Sequence, residues 1–320
     1  MSHNPFKADG AKAVRYAQLA SSIGYAVSAD VAQLALADRG RLHQNLGSVL
    51  IARDVDDLVA RYDLEGPRDL MLIALDAARR IARPPISEFV VGSIGLEAET
   101  GNLILGGNVE FPRTHLGLAL HGEGFVLTRS FSRRTTISVL AIGEAHPCAH
   151  CRQYLSEFAA TKNLDLIDPL GHTLTMADLY PWPFDPDYLG EVGVLPTRAP
   201  FPTLAYKSEV EPTAATELLL AAGRRAHAPY SKTPSAVVLR TSDGALIAGS
   251  TIESVAFNPS LGPLQAAIVD LLAHGYAYDE IAECWLGTVH DGAVDFRRSV
   301  SELLGSIAPS AAFHASDWGI

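Results

Sequence analysis

His121-Gly122-Glu123 and, further along, Pro147-Cys148-Ala149-His150-Cys151 bring one imidazole, two thiols and one carboxylate into play. Imidazole and thiolate are donors that zinc prefers, and three protein ligands leave the fourth tetrahedral position open to water. Two cysteines three apart can reach one metal when they open a helix, because the first turn brings their side chains together. Water on such a metal gives up a proton near neutral pH, and Glu123 stands where a proton acceptor is useful. His121, Cys148 and Cys151 are therefore candidate zinc ligands, and Glu123 is the candidate acid and base.

A C-x-x-C pair also fits a redox couple or half of a structural zinc site. A structural zinc wants four protein ligands, and the only other cysteine, Cys284, lies far downstream in an apolar context. A redox couple would leave His121 and Glu123 idle.

The surrounding pattern supplies the elements that must hold these residues. From about residue 12 to 62 the chain is rich in Ala and Leu at helical spacing, which predicts a small helical region. Asp69 is the expected cap of a helix over Leu70–Ala82, stopped by Pro84-Pro85. Val90–Leu96 and Leu103–Leu105 read as strands joined at Thr100-Gly101-Asn102. A helix is expected from near His121, locally weakened by Gly122 and Gly124. Ile137–Ile142 is a β-branched run suited to a buried strand, and Cys148–Ala160 reads as a second helix. The order is α-β-β-α-β-α, with the candidate ligands at two helix N-termini.

The pattern then returns. Arg80, Pro85 and Ser87 recur as Arg224, Pro229 and Ser231, and Gly101-Asn102-Leu103-Ile104-Leu105-Gly106 recurs as Gly244-Ala245-Leu246-Ile247-Ala248-Gly249, with Glu110 falling on Glu253. At nearly the same offset Leu264 stands for His121, Ala266 for Glu123 and Arg297 for Cys151, so the second copy is expected to carry no ligands. The expected division is an N-terminal helical region over 1–65, a metal-binding domain over 66–190 and a duplicate over 203–320, with the proline-dense stretch Pro181–Pro202 as linker.

Composition excludes several classes. With 48% hydrophobic and 19% charged residues in 320, the chain is an ordinary globular protein long enough for two cores. A net charge of −11 without basic clusters argues against nucleic-acid partners. The chain has no apolar run long enough to span a membrane, the start Met1–Lys7 is polar, and there are only three cysteines; a cytoplasmic protein away from membranes is expected.

With these residues in hand, the chain resembles the two-domain, homodimeric, zinc-dependent cytidine deaminases of bacteria and plants. The likeness runs from about residue 65 to 310 and rests on Asn108-Val109-Glu110-Phe111, His121-x-Glu123, Pro147-Cys148-Ala149-His150-Cys151-Arg152-Gln153, Pro229-Tyr230-Ser231-Lys232 and Ala256-Phe257-Asn258-Pro259. H-x-E with P-C-x-x-C is the signature of zinc nucleobase deaminases. The resemblance implies an α/β fold, a duplicated cytidine-deaminase-like α/β/α sandwich with a mixed sheet and helices on both faces. It also implies one Zn2+ per subunit, a pyrimidine nucleoside as substrate and a homodimer with shared sites. It assigns Phe89 to stack on the base, Asn108 and Glu110 to hold the ribose 3′-hydroxyl, and Phe184 to a further wall. Gly122 would contact the base through its N–H, and His146 would lie beside the leaving amine. Ala256 and Phe257 would close the pocket across the dimer.

Two thiolates blunt the metal's acidifying effect, so Glu123 is needed as proton shuttle for addition of water at C4 and loss of ammonia. Against the family pattern, Gly122 replaces a usual alanine, His146 a usual threonine or similar small residue, and Gly124-Phe125-Val126-Leu127 lacks the usual small and polar residues. An altered C4 pocket that accepts N4-substituted cytidines is therefore an alternative, and a non-catalytic nucleoside-binding protein is another.

Overall fold

The computed structural model describes residues 6–36, 39–143 and 146–320; of the polar start, the first five residues lie outside them. The chain opens with α1 (Gly10–Ala35), whose buried Val27, Val31 and Ala35 recur at helical spacing, and the Asp9 side chain caps it. Next come β1 (Val49–Leu50), α2 (Ala52–Arg61), α3 (Pro67–Ile73) and α4 (Leu75–Arg79). The expected helical region thus also contributes a strand. The expected helix over Leu70–Ala82 is two short helices separated at Ala74. Gly66 rather than Asp69 precedes α3, and Pro67 fits its first turn because no helical N–H is lost there. Asp69 instead accepts from Arg15 of α1 at 2.6 Å.

The first copy continues as β2 (Gly92–Glu97), β3 (Leu103–Gly107), α5 (Gly122–Arg133), β4 (Ile137–Ile142), α6 (Ala149–Ser156), β5 (Asp165–Ile167), β6 (Thr173–Thr175) and α7 (Met176–Leu179). Its sheet runs β1-β3-β2-β4-β5-β6, and β4 with β5 is the parallel pair. A parallel pair needs a crossover, and α6 provides it. The N-terminus of α6 therefore stands at the C-terminal end of β4, where open α/β sheets place their sites.

The second copy has β7 (Ala205–Tyr206), α8 (Ala214–Arg225), β8 (Ala236–Thr241), β9 (Leu246–Ser250), α9 (Pro263–Ala273), β10 (Ile281–Val289), α10 (Arg297–Ile307) and β11 (Ala312–Gly319), in the sheet order β7-β11-β10-β8-β9. The run β3-β2-β4-β5 thus recurs as β9-β8-β10-β11, again with one parallel pair. Single bridges repeat as well: Arg83↔Val109 and Val109↔Leu120 return as His227↔Ile252 and Ile252↔Leu261. The connection between the bridged residues is two residues shorter in the second copy. That shortening corrects the expected register. Gly262, the N-cap of α9, stands for His121, and Leu264 stands for Glu123. The path from the N-cap of α9 to that of α10 is longer than its counterpart in the first copy (262 to 296 against 121 to 148), so Phe296, the N-cap of α10, stands for Cys148, and Ser299 stands for Cys151.

The copies meet through α5 and α9. Gly122–Phe131 of α5 and all of α9 are buried, and one continuous core runs from α1 through both copies. Close approach to each sheet depends on a glycine. A Cβ at Gly106 would lie 2.8 Å from the Phe125 ring of α5, and one at Gly249 would lie 2.1 Å from the Ala267 nitrogen of α9. Phe125, Val126 and Leu127 are almost wholly buried, each stabilising by about 1.5–3 kcal/mol. Among the described residues no helix is long and apolar enough to cross a membrane.

Candidate active site

His121 is the N-cap of α5 and Cys148 the N-cap of α6; both backbones are extended and turn into the helix at that point. Cys148 Sγ lies 3.6 Å from His121 Nδ1, Cys151 Sγ lies 3.3 Å from it, and the two sulfurs are 3.6 Å apart. Donors bound at about 2.0–2.3 Å around a tetrahedral zinc are separated by about 3.5–3.8 Å, so the trio matches one face of that tetrahedron. His121 and Cys148 form an exposed lip over buried Cys151.

The electrostatics favour a cation. Cys148 is pulled down to about 3 by hydrogen bonds from the Cys151 thiol and from His121. Cys151, the donor in that pair, is shifted upward, and burial adds to the shift. The bond to Cys148 likewise raises His121. Glu123 is buried, which raises its carboxyl, and it is hydrogen-bonded to the Cys151 thiol. A carboxyl held toward its neutral form beside the ligands is suited to taking up and returning a proton. Cys284 plays no part: it is buried in β10, and burial pushes its thiol up to about 12.

The expected substrate residues fall into distinct settings. Asn108 is buried and holds the loop ahead of β2, accepting from Val91 N at 2.9 Å and donating to Phe89 O at 2.8 Å. Glu110 accepts from the Ile86 and Ser87 amides at 2.9 Å each and from Ser87 Oγ at 2.5 Å. In the second copy Glu253 makes the same set with Tyr230 N, Ser231 N and Ser231 Oγ. These side chains therefore build the loop that presents Phe89, a residue 53% exposed. Phe184 stacks on Tyr188, with ring centroids 5.5 Å apart. Its backbone is bound at both ends by Gln153 of α6, at 2.7 and 3.3 Å.

Gly122 and His146 are turned away from the ligands. A Cβ at Gly122 would point into β2 and meet Ser93 Oγ at 2.4 Å. The His146 imidazole faces Asp168, His172 and Phe6. From the second copy, Asn258 O accepts from His150 Nε2 of the same chain at 3.0 Å. Pro259–Leu261 then line a cavity of about 50 Å³ with His121 and Cys151, which is the size of bound water rather than a nucleoside. Ala256 is half-buried beside this contact, and Phe257 is 64% exposed with a left-handed backbone.

Sequence reasoning gave Arg152 and Gln153 no role, although both stand in the cysteine motif. Arg152 binds Pro147 O at 2.8 Å and Leu179 O at 2.7 Å, fixing the turn into Cys148. In the second copy a Cβ at Gly262 would lie 3.8 Å from the Phe296 ring, so an apolar ring stands where the first copy has a thiol.

The description "cytidine and deoxycytidylate deaminase zinc-binding region" matches the chain twice, over residues 65–164 and 179–300. The chain belongs to this deaminase family. It is 35% identical over 275 residues to cytidine deaminase 6 of Arabidopsis thaliana, covering 79% of this chain and 93% of that protein. It is 31% identical over 260 residues to a cytidine deaminase of Cronobacter sakazakii, covering 81% of this chain and 86% of the relative. The zinc expected from the donor set agrees with the family's zinc-binding description.

Proposed function

We infer that the protein is a zinc-dependent cytidine deaminase, a hydrolase that converts cytidine or deoxycytidine to uridine or deoxyuridine with release of ammonia, a reaction of pyrimidine salvage. The imidazole–thiol–thiol trio at tetrahedral spacing, with Glu123 buried beside it, is the observation that carries the reading. His121, Cys148 and Cys151 would hold the zinc, which would supply the Lewis acidity that activates water. Glu123 would take a proton from the attacking water and deliver it to N3 as the oxygen adds at C4. It then passes a second proton to the amino nitrogen, which leaves as ammonia. Water is consumed, and one carboxylate serves as base and acid in turn.

For the substrate we assign Phe89 and Phe184 as aromatic walls and the Gly122 N–H as a contact to the base. Asn108 and Glu110 act on the ribose beside the loop they hold. Ala256 and Phe257 are assigned to the site of a second subunit in a homodimer. The exposed Phe257 ring, held out by a left-handed residue beside its own chain's Asn258–His150 contact, supports that assignment. We read residues 66–190 as the catalytic domain, 203–320 as its metal-free duplicate and 1–65 as a packing region, in a cytoplasmic protein. Plain cytidine is favoured over N4-substituted substrates. The methyl group that Gly122 lacks would face Ser93, Gly124–Leu127 are buried, and the His146 ring lies against Asp168.

The test combines metal analysis with ammonia release from cytidine and deoxycytidine. Wild-type protein is expected to carry zinc on the cysteine pair, and Cys148→Ser to lose that zinc and turnover together. Glu123→Gln should keep zinc and lose about 10²–10⁴ in turnover. Full activity in either variant would overturn the reading.

A further inference from the structure

Among the described residues, two groups of three metal-ligating side chains have their ligand atoms within 4.8 Å of one another. One is the site above. The other is His146, Asp168 and His172, to which the deamination chemistry gives no part. β5 ends in the turn Asp168-Pro169-Leu170-Gly171-His172, which returns the chain into β6. Asp168 Oδ1 accepts the Leu170 and His172 amides at 3.0 Å each, which fixes the carboxylate. Its other oxygen, Oδ2, faces two imidazoles: His172 Nδ1 at 2.7 Å and His146 Nε2 at 3.0 Å. The rings meet edge-on with centroids 5.1 Å apart. Asp168 and His172 are buried, and the His146 side chain is a quarter exposed.

One detail separates this cluster from an ordinary hydrogen-bonded one. His146 Nε2 is buried and close to Oδ2, yet it is not aligned for a hydrogen bond and has no such partner among the described residues. Short separation without alignment is the relation between donors that aim at a shared cation instead of at each other. No lysine or arginine pairs with Asp168 among the described residues, so its charge stays available to a cation.

We propose that His146 Nε2, Asp168 Oδ2 and His172 Nδ1 form a second metal site for a divalent transition cation of the zinc class, separate from the deaminase centre. Two imidazoles and one carboxylate suit such a cation and not a hard cation that wants oxygens only. Coordination uses the Nδ1 lone pair of His172, so that ring's proton moves to Nε2. The cation would tie the β5–β6 turn to the segment entering Pro147 and Cys148, making it a structural support for the ligand loop.

The experiment uses the full-length protein dialysed against excess zinc and, in parallel, against cobalt. Metal content is measured per chain, and cobalt spectra separate thiolate-bound metal, with its sulfur-to-metal bands, from nitrogen- and oxygen-bound metal. Two equivalents are expected in wild type. Cys148→Ser should lose the sulfur-linked equivalent alone. His172→Asn should lose the other alone, with the sulfur bands unchanged. Should His172→Asn fail to fold, His146→Asn, on the partly exposed ring, is expected to give the same loss. Saturation of wild type at one sulfur-linked equivalent overturns the proposal, as does a second equivalent that survives His146→Asn. A missing sulfur-linked equivalent would instead refute the deaminase site, so the two failures are distinguishable.

Discussion

Arg129 of α5 and Asp270 of α9 occupy the same place on equivalent helices, at equal distances from the N-caps His121 and Gly262, and they meet at 3.1 Å across the boundary between the copies. Two identical copies related by symmetry would set arginine against arginine or aspartate against aspartate here. Duplication within one chain lets the two positions diverge, and opposite charges now close the junction. Arg129 is fully buried and also donates to the Asn45 and Gly47 carbonyls, so one guanidinium gathers both copies and the N-terminal region.

Removing one partner leaves the other charge buried. Arg129→Met is therefore expected to destabilise the protein by about 3–5 kcal/mol, read as a shift in the urea midpoint. Asp270→Asn should cost less, because Ser132 and the carbonyls still serve Arg129. The double change Arg129→Met with Asp270→Leu should recover part of the loss. An unshifted midpoint in Arg129→Met would show that the pair contributes nothing.

His274, next to this junction, gives a pH dependence. Its Nδ1–H donates to Asp270 O at 2.8 Å, and its Nε2 accepts from Gly47 N at 3.2 Å, so the neutral ring is the one that fits. Burial, aided by Arg129, lowers its pKa to about 4. The unfolded chain takes up a proton near pH 6.5, before the folded protein does. Stability from this group is therefore present above about 6.5 and lost as pH falls toward 4, on the order of 2 kcal/mol by pH 5. Urea midpoints at pH 7 and pH 5 should differ in wild type and converge in His274→Gln; equal pH slopes in the two proteins would remove His274 as the cause.

The clustering of His121, Cys148 and Cys151 was legible in sequence because each part is local: a His at one helix start and two cysteines in one helical turn at another. Strand β4 was legible for a related reason, since the β-branched run Ile137–Ile142 carries its own signal. Strands β1, β5 and β6 are two or three residues long, too short for any periodicity to show. The ligand positions of the second copy were misread because two length changes act in opposite directions: a two-residue shortening ahead of α9 and a longer connection from α9 to α10. Arg129 gave no sign of burial, since an isolated arginine on a helix reads as a solvated charge until its partner is placed. Ser93 carried no signal either, yet it explains Gly122.

Ser93 Oγ is buried without a hydrogen-bond partner among the described residues and fills the space that a methyl at position 122 would need. Gly122→Ala is expected to cost about 1–3 kcal/mol through overpacking and to lower turnover by displacing the start of α5. Ser93→Ala alone removes an unpaired hydroxyl and should be neutral or mildly stabilising. Combined, the two changes should recover most of the loss, a coupling that thermal melts and turnover numbers can both measure. Additive effects of the two substitutions would sink the explanation.

Glu157, just past α6, connects the first copy to the loop that carries Ala256 and Phe257. It is fully buried. Its Oε1 accepts from His227 Nε2–H at 2.8 Å and from Tyr230 OH at 2.7 Å, and its Oε2 accepts from Val255 N–H at 2.8 Å. All three donors belong to the second copy, and Val255 leads into the segment whose Asn258 carbonyl meets His150. A glutamine of the same shape must turn its NH₂ toward a donor in either orientation, at a cost of roughly 1–3 kcal/mol. Glu157→Gln is therefore expected to free the 254–260 loop while leaving the zinc ligands in place. Hydrogen exchange of those amides should quicken, cytidine turnover should fall, and zinc bound by the cysteine pair should stay at the wild-type level. Turnover that falls without faster exchange would show that Glu157 acts by another route, and unchanged turnover with faster exchange would show that the loop does not serve the reaction.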